Sequence, residues 1–393
     1  MLSVRDLELE GKRVFLRVDF NVPLDEEGHI RDDTRIQAAL PTLNFLLEHK
    51  ARVVAASHLG RPRGKHDPKL SLKPVAQRLS ELIGKDVILA PDVIGNEVER
   101  LKAESDGKKV ILLENLRFHT GEKANEPGFA RQLAQNIDYY VNDAFGACHR
   151  AHASVVGIPR YVEKSAAGFL VEKEVRYLSQ AVYSPQKPYV AILGGAKVSD
   201  KIPVLENLLK KADSLLIGGA MAYTFFRAQG LDVGRSLVEE EIKELALKLW
   251  QSAREQGVDF RLPFDHVVAP EAKEDAPAHI LDSFPIPFDL MALDIGPKTI
   301  RMYAKIISKA RTIFWNGPMG VFEIDKFSAG TTKIAEAVAS AQALSIVGGG
   351  DSVAAVYKAG VSERISHIST GGGASLEFIA NETLPGIEVL SEK

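Results

Sequence analysis

Tyr189-Val190-Ala191-Ile192-Leu193-Gly194-Gly195-Ala196-Lys197-Val198-Ser199-Asp200-Lys201 passes from an apolar, strand-forming run through two glycines into a lysine-bearing polar segment. A short apolar run, a glycine turn and then helical periodicity make the signature of a βαβ unit around a parallel sheet. The same rhythm recurs outward from this stretch. In the second half it predicts strands at Ser214 to Ile217, Asp265 to Ala269, Thr312 to Trp315 and Leu344 to Val347. In the first half it predicts strands at Val14 to Val18, Val53 to Ala56, Val87 to Leu89, Val110 to Leu113 and Tyr139 to Val141, with helices at Thr34 to Glu48 and Leu72 to Ile83. Two sheets are therefore expected, giving an α/β chain of two lobes, each a mainly parallel doubly wound sheet flanked by helices. Between them, Ala166 to Ala181 sets Phe169, Leu170, Val175 and Leu178 among charged residues at helical spacing, which predicts an amphipathic interdomain helix. The proline-bounded turn Tyr183 to Pro188 closes it. The expected organisation is an N-terminal domain over 1–165, the helix and linker over 166–184, a C-terminal domain over 185–375, and a tail over 376–393.

The chain has 393 residues, 45% hydrophobic and 26% charged, which is long enough for more than one domain and ordinary for a globular protein. Its net charge of −3 lacks the basic excess that neutralising a polynucleotide demands, so any anion site must be a local cluster of cations. The single cysteine, Cys148, cannot form an internal disulfide, and no Cys/His spacing resembles a zinc site. Met1 to Glu8 carry a charge every few positions, and the most apolar stretch, Leu215 to Phe226, is about a dozen residues against the ~20 a span requires. A cytoplasmic protein without a membrane partner is expected.

Ligands in open α/β sheets bind beyond the carboxyl ends of the strands, so the residues just after each strand carry the chemistry. In the first half these are Asp19 and Asn21, then His58 and Arg61, then Arg117, then His149, Arg150 and His152, with Arg35 opening the following helix. Several cations on successive strand-end loops repel one another unless an anion sits among them, and arginine matches carboxylate and phosphate geometry. A small polyanionic substrate is the economical explanation. The second half instead offers glycine turns: Gly194 to Lys201, Val347-Gly348-Gly349-Gly350-Asp351-Ser352 and Ser369-Thr370-Gly371-Gly372-Gly373. Backbone N–H groups and lysines at such helix starts favour phosphates, and Asp351 is a carboxylate able to hold Mg²⁺. No Gly-x-x-x-x-Gly-Lys-Ser/Thr occurs, and no Gly-x-Gly-x-x-Gly opens a helix after the first strand, which disfavours a P-loop NTPase and a nicotinamide dehydrogenase. A two-lobed binding protein without chemistry stays open as a rival at this point.

Taken in order, Arg17-Val18-Asp19-Phe20-Asn21-Val22-Pro23, Ser57-His58-Leu59-Gly60-Arg61-Pro62, Glu114-Asn115-Leu116-Arg117-Phe118, Asp143-Ala144-Phe145, His149-Arg150-Ala151-His152, the Gly194 to Lys201 run, Trp315-Asn316-Gly317-Pro318, Gly348-Gly349-Gly350-Asp351 and Ser369 to Glu377 resemble the phosphoglycerate kinase family. That resemblance implies a glycolytic phosphotransferase with a carboxyl acceptor: reversible Mg-dependent transfer between 1,3-bisphosphoglycerate and ADP, giving 3-phosphoglycerate and ATP. It implies that Asp19, Asn21, Arg35, His58, Arg61, Arg117 and Arg150 hold the phosphoglycerate. It assigns the nucleotide to Lys197, Lys201, Asn316, Glu323, Gly349, Gly350, Asp351 and Ser352, with Asp351 nearest the metal and Arg35, Lys197, Gly350 and Gly373 at the transferred phosphoryl group. A monomer whose lobes close by hinge bending is also implied, with a tail that returns to the first lobe. The acceptor carboxylate is already ionised at pH 7, so no general base is expected. Three departures stand out: Ala220 and Ala292 occupy positions where the family commonly has glycine, which bears on the adenine pocket, and Ser352 replaces a frequent threonine.

Overall fold

The computed structural model describes residues 1–391, and the chain divides into two compact units. The first comprises Met1–Arg176 together with the chain from Thr383 onward; the second is Tyr177–Glu382.

In the first unit β1 (Arg13–Arg17), β2 (Arg52–Ala56), β3 (Val87–Leu89), β4 (Val110–Leu112), β5 (Tyr139–Asn142) and β6 (Lys164–Ala167) form one parallel sheet in the order β3-β4-β2-β1-β5-β6. Its central strands are buried along almost their whole length, as a sheet covered by helices on both faces requires. In register, Val14 lies opposite Val53 on one side and Tyr139 on the other. The chain moves outward from β1 through β2 to the β3 edge, then returns to β5 on β1's other side. The switch point thus lies between β1 and β5, and Asp19 and Asp143 follow those two strands.

In the second unit β7 (Tyr189–Leu193), β8 (Ser214–Ile217) and β9 (Asp259–Arg261) run to one side, and β13 (Thr312–Asn316), β14 (Leu344–Gly348) and β15 (His367–Ile368) run to the other. The parallel order β15-β14-β13-β7-β8-β9 sets the switch point between β7 and β13. Gly194 and Gly317 meet there: Gly194 donates its N–H to Asn316 O at 3.0 Å, and a Cβ on Gly194 would stand 2.0 Å from Pro318 O. Between β9 and β13, β10 (His266–Ala269), β11 (His279–Leu281) and β12 (Met291–Ile295) form a separate antiparallel sheet.

Four expectations need correction. Ala166 and Ala167 belong to strand β6, and the helix begins only at Phe169, running to Tyr183. Gly168 makes the break: a Cβ there would lie 2.2 Å from Asp143 Oδ1, the atom that accepts the first-turn N–H of Leu170 at 2.9 Å. The division between units falls inside this helix rather than at its ends. The strand read from Asp265 joins the antiparallel sheet, while the edge of the main sheet is β9, whose half-exposed Asp259-Phe260-Arg261 lacks an apolar run. The second unit extends past Ser375 through the helix Gly372–Asn381 to Glu382.

Candidate active site

Arg17 ends β1 and is almost wholly buried. It donates from Nε to Ser154 Oγ at 2.8 Å and from Nη1 to its neighbour's carbonyl at Val18, and its Nη2 lies 3.2 Å from His58 Nδ1. Arginine has no acceptor, so His58 Nδ1 accepts and the proton resides on Nε2. Burial, followed by the charges of Arg17, Arg117, Arg150 and Arg35, pushes the His58 imidazolium well below its usual range. His58 Nδ1 and Asp19 Oδ1 are 3.9 Å apart, but a neutral imidazole makes no salt bridge, so the His58–Asp19 pair is not an ionic one.

Asp19 is instead the partner of Arg35, whose Nη1 donates to Oδ2 at 2.5 Å from the second position of the helix Thr34–Glu48. Asn21 accepts from Gly60 N at 2.8 Å, tying the loop after β1 to the loop after β2. Asn115 fixes the loop after β4: its Oδ1 accepts from Leu59 N and Arg117 N, and its Nδ2 donates to Leu59 O and Leu70 O. These bonds present Arg117, whose Nη1 donates to Gly60 O at 2.6 Å while its Nε is buried with no acceptor. Burial, with Arg150 and Arg17 adding repulsion, brings the Arg117 guanidinium down to about 10. Arg150 donates to His149 Nε2 at 3.0 Å, and burial together with Arg150 lowers the His149 imidazolium to about 4. The first unit thus assembles Asp19, Asn21, Arg35, His58, Arg117 and Arg150 on one edge of its sheet, with Arg61 exposed on the loop after β2.

In the second unit Lys201 is buried and donates to Asn316 Oδ1 at 2.7 Å; Asn316 Nδ2 donates in turn to Gly348 O at 2.8 Å. Burial lowers the Lys201 ammonium, opposed by Asp200 and Asp351. Ser352 is fully buried, and its Oγ accepts from Gly317 N at 2.5 Å. Gly349 (φ +94°) leaves no room for a side chain, since a Cβ would stand 2.8 Å from Asn316 Nδ2, and Gly372 packs on it within 3.2 Å by the same measure. The Gly349 and Gly372 turns therefore lie together, each opening a helix, with Gly350 and Gly373 exposed. Lys197 is exposed on a loop clamped by Glu239, whose carboxylate accepts from Val198 N, Ser199 N and Ser199 Oγ. Beside this network is a pocket of about 400 Å³ in which Leu237, Met291, Leu293, Met319 and Val321 line an apolar wall, with Gly195, Glu323 and Asp351 also on its surface. Ala220 and Ala292 are both among the residues that line it.

A family model described as phosphoglycerate kinase matches residues 4–382. The chain belongs to the phosphoglycerate kinase family. Phosphoglycerate kinases of Koribacter versatilis and Moorella thermoacetica are 54% and 56% identical to it over 400 and 392 residues, covering 100% of the chain and 99% of each relative. The solved phosphoglycerate kinase of Coxiella burnetii superposes with a TM-score of 0.91 at 44% identity, covering 100% of this chain and 99% of that one. That of Pyrococcus horikoshii does so at 0.83 and 37%, with 100% and 98% covered. The activity is accordingly that of a phosphoglycerate kinase, a kinase of glycolysis. Glu122, Ser154 and Glu239, buried or half-buried, hold the loops rather than line them and carry no strand-end signal in the sequence, where Arg17 stands out only as part of a motif.

Proposed function

We propose that the first unit holds 3-phosphoglycerate or 1,3-bisphosphoglycerate through Asn21, Arg35, His58, Arg61, Arg117 and Arg150, with Asp19 setting Arg35. The second unit takes ATP or ADP through Lys197, Lys201, Asn316, Glu323, Gly349, Gly350, Asp351 and Ser352. One observation carries the reading: the buried Arg117 Nε without an acceptor, on a guanidinium whose proton affinity is lowered by burial and then by the charges of Arg150 and Arg17. A phosphate or carboxylate oxygen satisfies that donor and offsets the repulsion at once.

Phosphoryl transfer requires in-line placement and neutralisation of charge on the moving oxygens. Arg35 and Lys197 supply cations, and the Gly350 and Gly373 N–H groups supply donors free of any helix bond. His58 is neutral, so it orients the acceptor through Nε2–H and is not a base; none is needed, because the nucleophile is an ionised carboxylate. The exposed Asp351 carboxylate on the pocket wall suits Mg²⁺, a hard ion that takes one or two carboxylates and otherwise water and phosphate oxygens. When bound, that ion would neutralise phosphate charge.

The reading extends to a monomer in the cytoplasm with no nucleic-acid partner; among the described residues no helix is long and apolar enough to cross a membrane. Because donor and acceptor are assigned to different units, turnover demands that the units bring them together, and a small-angle scattering profile unchanged by both substrates would count against that step. ADP should form only when ATP, Mg²⁺ and 3-phosphoglycerate are all present. Equal ADP release without 3-phosphoglycerate would overturn the assignment of the first unit.

A further inference from the structure

Glu122 sits in the short helix Thr120–Ala124 and is completely buried, an expensive place for a carboxylate unless it is bonded. Its Oε1 accepts from Ser154 Oγ at 2.6 Å, its Oε2 accepts from Ser154 N at 2.9 Å, and His152 Nδ1 lies 3.6 Å from Oε1. Burial opposes ionisation, but the bonds from His152 and Ser154 and the charge of Arg17 outweigh it and hold the carboxyl below its ordinary range.

The hydrogen bond from Arg17 goes to Ser154 and not to the carboxylate itself. A hydroxyl has one proton: Ser154 gives it to Glu122 and so presents a lone pair to Arg17 Nε, 2.8 Å away. Arg17 Nη2 then fixes His58 Nδ1 at 3.2 Å and thereby turns His58 Nε2–H outward as a donor. On its other side Glu122 accepts from the backbone of the segment that follows β5, through Ser154 N, with the His152 ring 3.6 Å away. One buried carboxylate therefore ties two strand-end segments together: that of β2, through Ser154 Oγ, Arg17 and His58, and that of β5, through Ser154 N. It also supplies, beside Asp19, negative charge that opposes the repulsion on Arg117 from Arg150 and Arg17.

We propose that Glu122 is a positioning residue for the phosphoglycerate site, acting through the Ser154 hydroxyl on the Arg17–His58 pair and through Ser154 N on the segment that continues from the loop bearing Arg150. This rests on the assignment of His58 and Arg150 to phosphoglycerate.

The test is steady-state kinetics on the full chain with 3-phosphoglycerate and MgATP each varied, for Ser154→Ala, Ser154→Thr, Glu122→Gln and His58→Ala. Losing a hydrogen bond to a charged group is worth about tenfold or more. Ser154→Ala and Glu122→Gln should raise KM for 3-phosphoglycerate by about that factor while leaving KM for ATP within about twofold, and Ser154→Thr, which keeps the hydroxyl, should restore it. Ser154→Ala removes a single oxygen, so it reports even if Glu122→Gln does not fold. A fall in kcat with KM for 3-phosphoglycerate unmoved, or equal rises in both KM values, would mean that the network only supports the fold and would overturn the proposal. If His58→Ala raises KM for 3-phosphoglycerate and Ser154→Ala does not, positioning by Glu122 fails alone. If His58→Ala leaves it unmoved, the assignment of the site itself fails.

Discussion

Arg35 and Asp19 show how one residue's worth depends on its partner. Bonded at 2.5 Å to Asp19 and with its side chain 41% exposed, Arg35 is held in one rotamer yet open to a ligand. A preorganised cation of this kind contributes about 3 kcal/mol to a transition state, so Arg35→Ala should lower kcat roughly a hundredfold or more. Near-native kcat in the variant would remove Arg35 from the reacting group. Asp294 illustrates the opposite use of burial. It lines the pocket beside Gly195 and Asp351 and accepts from Gly330 N and Ile295 N, but burial, only partly offset by those two bonds, pushes its carboxyl up to about 7. A folded value above the unfolded one near 3.8 means that the native state binds the extra proton, so this group's stabilisation is complete below about 4 and fades as pH rises through 7. Asn has no such proton. Relative to the parent, Asp294→Asn should therefore gain about 3 kcal/mol of stability in the second unit's denaturant transition between pH 5 and pH 8. A pH-independent difference would show that Asp294 stays ionised. Exposed or half-exposed candidate residues such as Arg35, Arg61 and Arg150 stand out in the sequence because each follows a strand or opens a helix. Glu122 and Ser154 were not, since 32 residues separate a pair that only the fold brings to 2.6 Å.

At the scale of elements, the parallel strands announced themselves through unbroken apolar runs, which full burial on both faces demands. What escaped were the edges other than β3: β6, β9 and β15. β6 is only Lys164-Ser165-Ala166-Ala167, whose small residues run straight on into an amphipathic pattern, and β9 carries charge at both ends. Edge strands pack on fewer neighbours, so selection for apolar side chains is weaker and the signal fades. The crossing of β7 and β13 was readable only as a glycine turn, and its reason is steric. With Gly194 N bonded to Asn316 O and a Cβ there meeting Pro318 O at 2.0 Å, Gly194→Ala must push the two strand ends apart. Those ends carry Lys201's partner Asn316 and the Gly317 N–H that Ser352 receives. Gly194→Ala is thus expected to raise KM for ATP at least about tenfold and leave KM for 3-phosphoglycerate within about twofold. An unchanged KM for ATP would show that the strand ends relax without cost to the site proposed around Lys201 and Asn316.

For the molecule as a whole, chain order and unit membership do not coincide. The chain completes β1 to β6, builds the second unit, and then contributes Thr383 onward to the first. Leu384, Ile387 and Leu390 are buried there, Gly386 N donates to Cys148 O at 2.8 Å, and Asn142 Nδ2 reaches Gly386 O at 3.5 Å. Gly386 is required at this seam because a Cβ would stand 2.9 Å from the Cys148 Cα and 2.7 Å from Val155. The segment therefore closes over the loop that follows β5, next to His149 and Arg150. Burying three such apolar side chains is worth about 1.5–3 kcal/mol each, enough to consume much of a domain's net stability. Ending the chain at Glu382 should then destabilise the first unit by about 4 kcal/mol or more and, with the nucleotide proposed to sit on the second unit, leave nucleotide affinity within about twofold. Cys148 reports the change directly, being the only cysteine, fully buried, and with burial raising its thiol to about 12. In the full chain a thiol reagent should label Cys148 only as fast as the first unit opens, whereas after truncation labelling should quicken by orders of magnitude under native conditions. If labelling stays slow, the first unit is complete without its last segment. If nucleotide affinity falls in parallel, the loss has spread to the second unit and the stabilisation is not confined to the unit the segment joins.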